Sequence, residues 1–211
     1  MNAAEVLHAA GICSLPTDAE RIAEHYGIKL VSYSSVAKIY EKTMEQLYAI
    51  SRHGYSFRDG GSPVCAINEN CCGEARRRWT IAHELAHCLL GHICGGEYSL
   101  EEERAADDFA AELLAPTAVV NFCGVSSAQE LSRLCRISYQ AAGIRFGELT
   151  ARRRTDAARY AAGESASALS AEELICVSDF SGFISRYLLE RARRERYAEP
   201  VYSWDRLTAF C

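Results

Sequence analysis

The sequence HELAH, residues 83–87, contains two histidines four positions apart and a glutamate directly after the first of them. In an α-helix, positions i and i+4 lie one above the other, so His83 and His87 can bind one metal ion together. Glu84 lies about 100° further round the helix, where its carboxylate can reach water beside the metal without binding the metal itself. The motif therefore predicts a helix that carries the centre of a zinc hydrolase.

The residues around HELAH are expected to form one long and largely buried helix. Between Gly73 and His92 no proline occurs and no glycine occurs before Gly91, while apolar residues recur at helical spacing. Gly91, Gly95 and Gly96 are expected to end this helix, because glycine readily adopts the left-handed conformation that terminates helices.

A catalytic zinc takes three protein ligands, and two residues compete for the third position. His92 is one residue away from the metzincin spacing, and we expect it to be a helix-end histidine that faces away from the motif histidines. Glu103 begins a Glu-x-x-x-Asp pattern of the thermolysin kind on a predicted helix over 100–115, and Asp107 shares its helix face. We favour Glu103 as the ligand and Asp107 as the hydrogen-bond partner of a ligand histidine. The alternative is that Glu103 belongs to a solvated acidic helix start.

Length and composition indicate one catalytic domain with a small extra module. The chain has 211 residues and a net charge of −5, which predicts solubility but indicates no particular partner. Its ten cysteines include no Cys-x-x-Cys pair, and the adjacent Cys71 and Cys72 are expected in a loop. The N-terminus lacks a secretory pattern and no apolar run is long enough to span a membrane, so we expect a cytoplasmic protein with free, mostly buried thiols.

The N-terminal part is predicted to contain one helix and a small sheet. Residues 17–26 form an amphipathic helix capped by Thr17, and Gly27 ends it. The glycine-rich residues 59–63 indicate a hairpin or a pair of strands beside the motif helix. The predicted strands are residues 28–33, 47–50 and 64–67.

Helical patterns resume over residues 128–154, and within them residues 128–149 have the two-helix rhythm of a helix-turn-helix. Arg145 and Arg152 to Arg154 would then be available for DNA phosphates. The overall pI near 5.7 makes autonomous DNA binding doubtful, so we expect a packed helical appendage, with DNA contact as the alternative. Residues 161–171, rich in Ala, Ser and Gly, are predicted to be a linker or loose loop, and the aromatic tail around Trp204 indicates no function.

Two segments of the chain resemble the ImmA/IrrE family of zinc metallopeptidases, which occur on bacterial mobile elements and in stress regulators. The specific matches are residues 78–87 and 103–116, and the likeness extends over about residues 15 to 150. Weaker similarity covers residues 17–31, 47–67 and 137–142. The resemblance implies one Zn²⁺ per chain on His83, His87 and Glu103, with Glu84 as the base, in agreement with the spacing argument. Family members often have Asn at the position of Asp107.

The resemblance also implies a substrate, namely a helix-turn-helix transcriptional repressor that is encoded on a mobile element or controls a stress response.

In the expected reaction Glu84 accepts a proton from water and returns it to the leaving amine. His92, Tyr98 and Tyr139 are candidates for stabilising the oxyanion. Residues 64–67 are expected to be the edge strand that pairs with the extended substrate.

The predicted fold class is α+β, with a mainly helical zincin-like core, a small sheet beside the motif helix and a helical C-terminal segment. We divide the chain into a metallopeptidase domain (1–125), a helix-turn-helix-like appendage (126–160) and a linker with a tail (161–211). The alternative function is a DNA-binding or partner-binding transcriptional regulator whose zinc site is mainly structural.

Overall fold

The computed structural model describes residues 1–70, 73–93, 98–162 and 168–197, and it confirms a mainly helical α+β fold with one small sheet. The first elements in chain order are α1 (Ala3–Ala9), α2 (Ala19–His25), β1 (Lys29–Ser32), α3 (Tyr33–Ile39), α4 (Met44–Ile50), β2 (Gly54–Asp59) and β3 (Ser62–Ile67). The later elements are α5 (Glu74–Leu90), α6 (Leu100–Leu114), α7 (Thr117–Phe122), α8 (Ala128–Cys135), α9 (Tyr139–Ala161), α10 (Ala171–Asp179) and α11 (Ser181–Tyr197).

The three strands form a sheet in the order β1-β3-β2. Strand β1 pairs with β3 in parallel, and β2 pairs with β3 in the antiparallel direction. Helix α5 packs against one face of the sheet, while Tyr33, Val36 and Leu47 of α3 and α4 cover Ala66 on the other face. The prediction that residues 64–67 form an edge strand is wrong, because β3 is hydrogen-bonded on both sides.

The prediction of a strand over residues 47–50 is also wrong, because these residues lie in α4. A capping box between Thr43 and Gln46 starts this helix, and its one buried residue, Leu47, packs in the cluster with α3. A four-residue apolar run fits either a strand or a helix, and here the cap and the packing decide. The predicted hairpin exists between β2 and β3, and Gly60 and Gly61 form its turn with positive φ angles of 56° and 88°.

The two helices that carry the predicted metal ligands, α5 and α6, pack against each other. Gly91 ends α5 in the left-handed conformation, as predicted, while Gly95 and Gly96 lie outside the described residues. A capping box between Ser99 and Glu102 starts α6. Helix α2 differs in its start from the prediction, because the side chain of Asp18 caps the helix and Thr17 does not.

The C-terminal helices pack onto the start of the chain. Phe180 and Ile184 lie in the same core cluster as Val6 and Leu7 of α1. A hydrogen bond of 2.7 Å between Nδ1 of His8 and Oδ2 of Asp179 joins α1 to α10 at the surface. The division of the chain into three parts stays a prediction, and Trp204 lies outside the described residues.

The cysteines with described positions are free. Cys65, Cys123, Cys135 and Cys176 are buried, as expected for thiols that behave as small apolar side chains. Cys71 and Cys72, predicted in a loop, lie outside the described residues. In the described part of the chain, every helix is too short or too polar to cross a membrane.

Candidate metal centre

Three side chains with metal-binding atoms converge where α5 and α6 meet. The Nε2 atoms of His83 and His87 lie 3.1 Å apart. Glu103 places Oε2 3.4 Å from Nε2 of His83 and Oε1 3.6 Å from Nε2 of His87. A tetrahedral ion with bonds of about 2.0 Å keeps its ligand atoms about 3.3 Å apart. The three residues therefore could hold one ion of the size of zinc.

Each of the two histidines has a partner for its second ring nitrogen. Nδ1 of His83 lies 2.9 Å from Oδ1 of Asp107, one helical turn after Glu103 on α6. An imidazole that binds metal through Nε2 has its proton on Nδ1, so this proton can be donated to Asp107. The Glu-x-x-x-Asp spacing thus places both carboxylates at the site, as the sequence predicts.

His87 is fully buried, and its partner is another histidine. Its Nδ1 lies 3.1 Å from Nδ1 of His92, and the ring of Tyr98 stacks on it with a centroid distance of 3.7 Å. Burial, together with the imidazoles of His83 and His92, lowers the pKa of His87 to about 3. The side chain is therefore neutral at pH 7, which is the form that binds metal.

The prediction that His92 faces away from the motif histidines is wrong. Gly91 adopts a φ of 81°, which turns the chain back at the end of α5. The backbone N–H of His92 then donates to the carbonyl of His87 at 2.9 Å. A helical projection continued past Gly91 cannot show this, because the residue after a left-handed cap no longer follows the helix.

Glu84 is buried beside the sheet with 5% of its surface exposed. The hydroxyl of Ser56, on β2, donates to Oε2 of Glu84 at 2.6 Å. Burial raises the pKa of Glu84 to about 7, although the Ser56 hydrogen bond and the nearby His83 act in the opposite direction. A carboxylate with a pKa near neutrality can both accept and return a proton, which suits a general base.

Gly54 explains how β2 comes close enough for Ser56 to reach Glu84. A Cβ atom at position 54 would lie 2.6 Å from Cγ2 of Thr80 and 3.0 Å from the carbonyl oxygen of Ala66. Residues 54 and 56 point to the same face of the strand, because side chains alternate along β-structure. The missing side chain therefore lets β2 lie against α5. Neither Gly54 nor Ser56 could be recognised from the sequence, because nothing local marks a serine 28 residues before its partner.

The three candidates for stabilising an oxyanion lie in different surroundings. His92 and Tyr98 contact the ring of His87, whereas Tyr139, at the start of α9, has 69% of its surface exposed. The Tyr98 hydroxyl donates to the carbonyl of Ser56 at 3.4 Å, and burial raises its pKa, so the phenol stays protonated. The role of an oxyanion stabiliser stays a prediction for all three.

Three of the four arginines expected to face DNA form contacts within the protein. Arg145 pairs with Glu112 and also donates to the carbonyl of Ala115. The other two contacts are Arg152 to Glu173 at 3.2 Å and Arg153 to Asn121 at 2.7 Å. The prediction that these three guanidinium groups are available for phosphates is wrong, because they attach α9 to its neighbours.

Comparison with protein families covers the region just described. Residues 23–146, more than half of the chain, match the family Peptidase_M78, described as the IrrE N-terminal-like domain. The matched range includes the sheet, both ligand helices and the start of α9. No curated protein matches the chain.

Proposed function

Because the chain belongs to the ImmA/IrrE family of metallopeptidases through its IrrE N-terminal-like domain, we propose that it is a zinc-dependent endopeptidase. Its proposed substrate is a helix-turn-helix transcriptional repressor, whose cleavage would control a mobile element or a stress response. One observation carries the proposal: a buried glutamate, Glu84, lies beside three converging metal-binding groups. A purely structural zinc site needs protein ligands but no general base beside them.

His83, His87 and Glu103 would hold the zinc ion, one per chain. Two neutral imidazoles with one carboxylate form the ligand set of a catalytic site that keeps its fourth position open. When bound, zinc lowers the pKa of water towards about 7 and polarises a peptide carbonyl.

Glu84 would act as the general base and afterwards as the general acid. The Ser56 hydroxyl holds one carboxylate oxygen, Oε2, which restricts rotation of the group and leaves the second oxygen to accept a proton from water. Burial of Glu84 raises its pKa, which favours acceptance of a proton from water. Glu84 would then deliver the proton to the amine that leaves the cleaved bond.

The substrate would pair with β2 and not with β3, the strand that the sequence predicted for this role. Strand β2 is an edge of the sheet, so an extended peptide can pair with its outer side. Ser56 lies on this strand and contacts Glu84, so a peptide paired with β2 would run past the base. The backbone of β3 is already used on both sides.

The alternative, a DNA-binding or partner-binding regulator with a structural zinc site, has less support. Arg145, Arg152 and Arg153 are engaged inside the protein, while Arg154 is exposed. DNA contact through residues 126–160 stays the untested alternative. We expect weak or no DNA binding at physiological salt, and any binding through phosphates should weaken steeply as salt is added.

The proposed function predicts cleavage of a particular class of protein. We expect the zinc-loaded protein to generate a new N-terminus in a helix-turn-helix repressor encoded beside its gene, detected by mass spectrometry of the purified pair. A chelator should prevent the cleavage, and added zinc should restore it. A repressor that stays intact while other proteins are cleaved would contradict the proposed substrate and leave the peptidase activity standing.

His92 is predicted to position His87 for metal binding. When His87 binds metal through Nε2, its Nδ1–H can donate a hydrogen bond to Nδ1 of His92, so His92→Ala should weaken zinc binding by about 10- to 100-fold. His92→Asn, whose amide oxygen can accept the same hydrogen bond, should lose less. Competition with a zinc-binding dye measures the zinc affinity of both variants. His25→Ala, at an exposed position, is the control. An affinity for His92→Ala equal to that of the control would remove this role.

A further inference from the structure

A cavity of about 340 Å³ lies between the ligand helices α5 and α6 and the helix α9. We call it the α9 cavity. Six of its lining residues carry the argument, and they are Trp79, Asp107, Ala111, Ile137, Ala141 and Ile144. A volume near the lower end of the range for ligand sites, about 300 to 1,000 Å³, fits one large side chain better than a whole cofactor.

One wall of the α9 cavity is continuous with the candidate metal centre. Asp107 lines the cavity and also contacts Nδ1 of His83 at 2.9 Å. Trp79 lies four residues before His83 on α5, so it is slightly more than one helical turn, about 6 Å along the helix axis, from this residue. The cavity therefore lies beside the candidate metal centre. A substrate held there could place the side chain next to its cleaved bond in the cavity.

The charged groups around the α9 cavity are paired within the protein or face water. The apolar surface of the cavity is therefore the feature that would select a ligand. Arg145 is paired with Glu112 and Glu148, and Asp107 is paired with His83. Arg76 also lines the cavity, but it is exposed, so its guanidinium can remain in water. The apolar part of the lining consists of an indole ring and aliphatic side chains, and Ser138 and Gln140 add uncharged polar groups to the wall.

Ile144 shows that this apolar surface is incompletely covered by the protein itself. It lines the cavity with 63% of its surface exposed, although it lies in a helix attached to the core through Arg145. An apolar group left in water beside a site is stabilised when a ligand covers it, by about 25 cal/mol for each Å² removed from water.

We propose that the α9 cavity is the specificity pocket of the peptidase and takes a large aliphatic or aromatic side chain of the substrate next to the scissile bond. The inference rests on the proposed function and names the substrate class, namely peptides with a large apolar residue beside the cleaved bond. It also assigns α9 to substrate recognition, which the division of the chain at residue 126 does not anticipate.

The first test measures binding without any cleavage. The chain has two tryptophans, so Trp204→Phe leaves Trp79 as the only one and makes its fluorescence a reporter of the cavity. In this full-length variant, N-acetyl-leucine amide should cause a saturable change, whereas N-acetyl-serine amide and N-acetyl-aspartate amide should cause none. The absence of a saturable response to the leucine compound would overturn the proposal.

Two further substitutions locate the response. Ala141→Phe should fill the cavity and Ile144→Asp should place a charge in it, and each should weaken binding of the leucine compound about tenfold or more. Ile39→Asp, at an isoleucine 64% exposed on α3, is the matched control and should leave binding unchanged. Thermal unfolding of each variant shows whether it is folded. Equal binding by all three folded variants would place the site elsewhere and contradict the proposal.

The second test uses cleavage and separates the pocket from the enzymatic activity. With a peptide library as substrate, the zinc-loaded protein should prefer a large apolar residue on one side of the cleaved bond, and Ala141→Phe should reduce this preference. Cleavage with no such preference would contradict the pocket and support the peptidase. Binding of the leucine compound without cleavage of any peptide would contradict the peptidase and leave an apolar binding site.

Discussion

Replacing Glu84 with glutamine is expected to lower the rate of substrate cleavage by a factor of about 10² to 10⁴. The amide has nearly the shape of the carboxylate, and its oxygen can still accept the hydrogen bond that Ser56 donates to Glu84, so the fold and the metal content should remain. What the variant loses is the proton acceptor. Initial rates of repressor cleavage, measured beside metal analysis of the same samples, check both parts of this prediction.

The matched control for this experiment is Glu101→Gln, which changes an exposed glutamate at the start of α6. It should cleave like the parent protein. Binding of the repressor should survive in Glu84→Gln, because the base is not needed to hold the substrate. A Glu84→Gln protein that cleaves at the parental rate would show that another group is the base, and the proposed mechanism would be wrong.

Replacing His83 or His87 with alanine is expected to remove the zinc ion, which the parent protein should bind at about one per chain. Zinc is bound weakly by the two ligands that remain, because one of its three bonds to the protein is lost. Elemental analysis after dialysis gives the metal content. His87 is fully buried, so His87→Ala also loses packing, whereas His83 is partly exposed and is the cleaner variant. Full occupancy in both variants would exclude these histidines as ligands.

The third ligand is tested by comparing acidic residues on the same helix. Glu103→Ala should reduce the zinc content much more than Glu101→Ala or Asp108→Ala, because its carboxylate is the one within 3.6 Å of both histidine nitrogens. Equal losses in the three variants would mean that Glu103 belongs to the solvated acidic start of α6. Zinc should raise the melting temperature of the parent protein but not that of Glu103→Ala, which would be independent evidence that Glu103 binds the metal.

Several features of the site could be predicted because they depend on one helix at a time. The positions of His83, Glu84 and His87 follow from 3.6 residues per turn, and the same geometry places Glu103 and Asp107 on one face of α6. The helix that contains the motif also ends where its first glycine predicts. The periodicity of an α-helix is set by its backbone, so these relations hold wherever the helix packs.

The contacts that prepare those residues were decided by the tertiary structure. Ser56 reaches Glu84 only because β2 lies against α5 at Gly54, and His92 reaches His87 because the chain turns back after the helix. The α9 cavity likewise lies between three helices, α5, α6 and α9, and Arg145 is one of the residues that attach α9 to the end of α6. Such contacts join residues that no short-range pattern relates, and they depend on how whole elements fit together. The sequence by itself therefore determined which histidines and carboxylates share a helix face, whereas packing between elements decided their hydrogen-bond partners, the burial of Glu84 and the space beside the site.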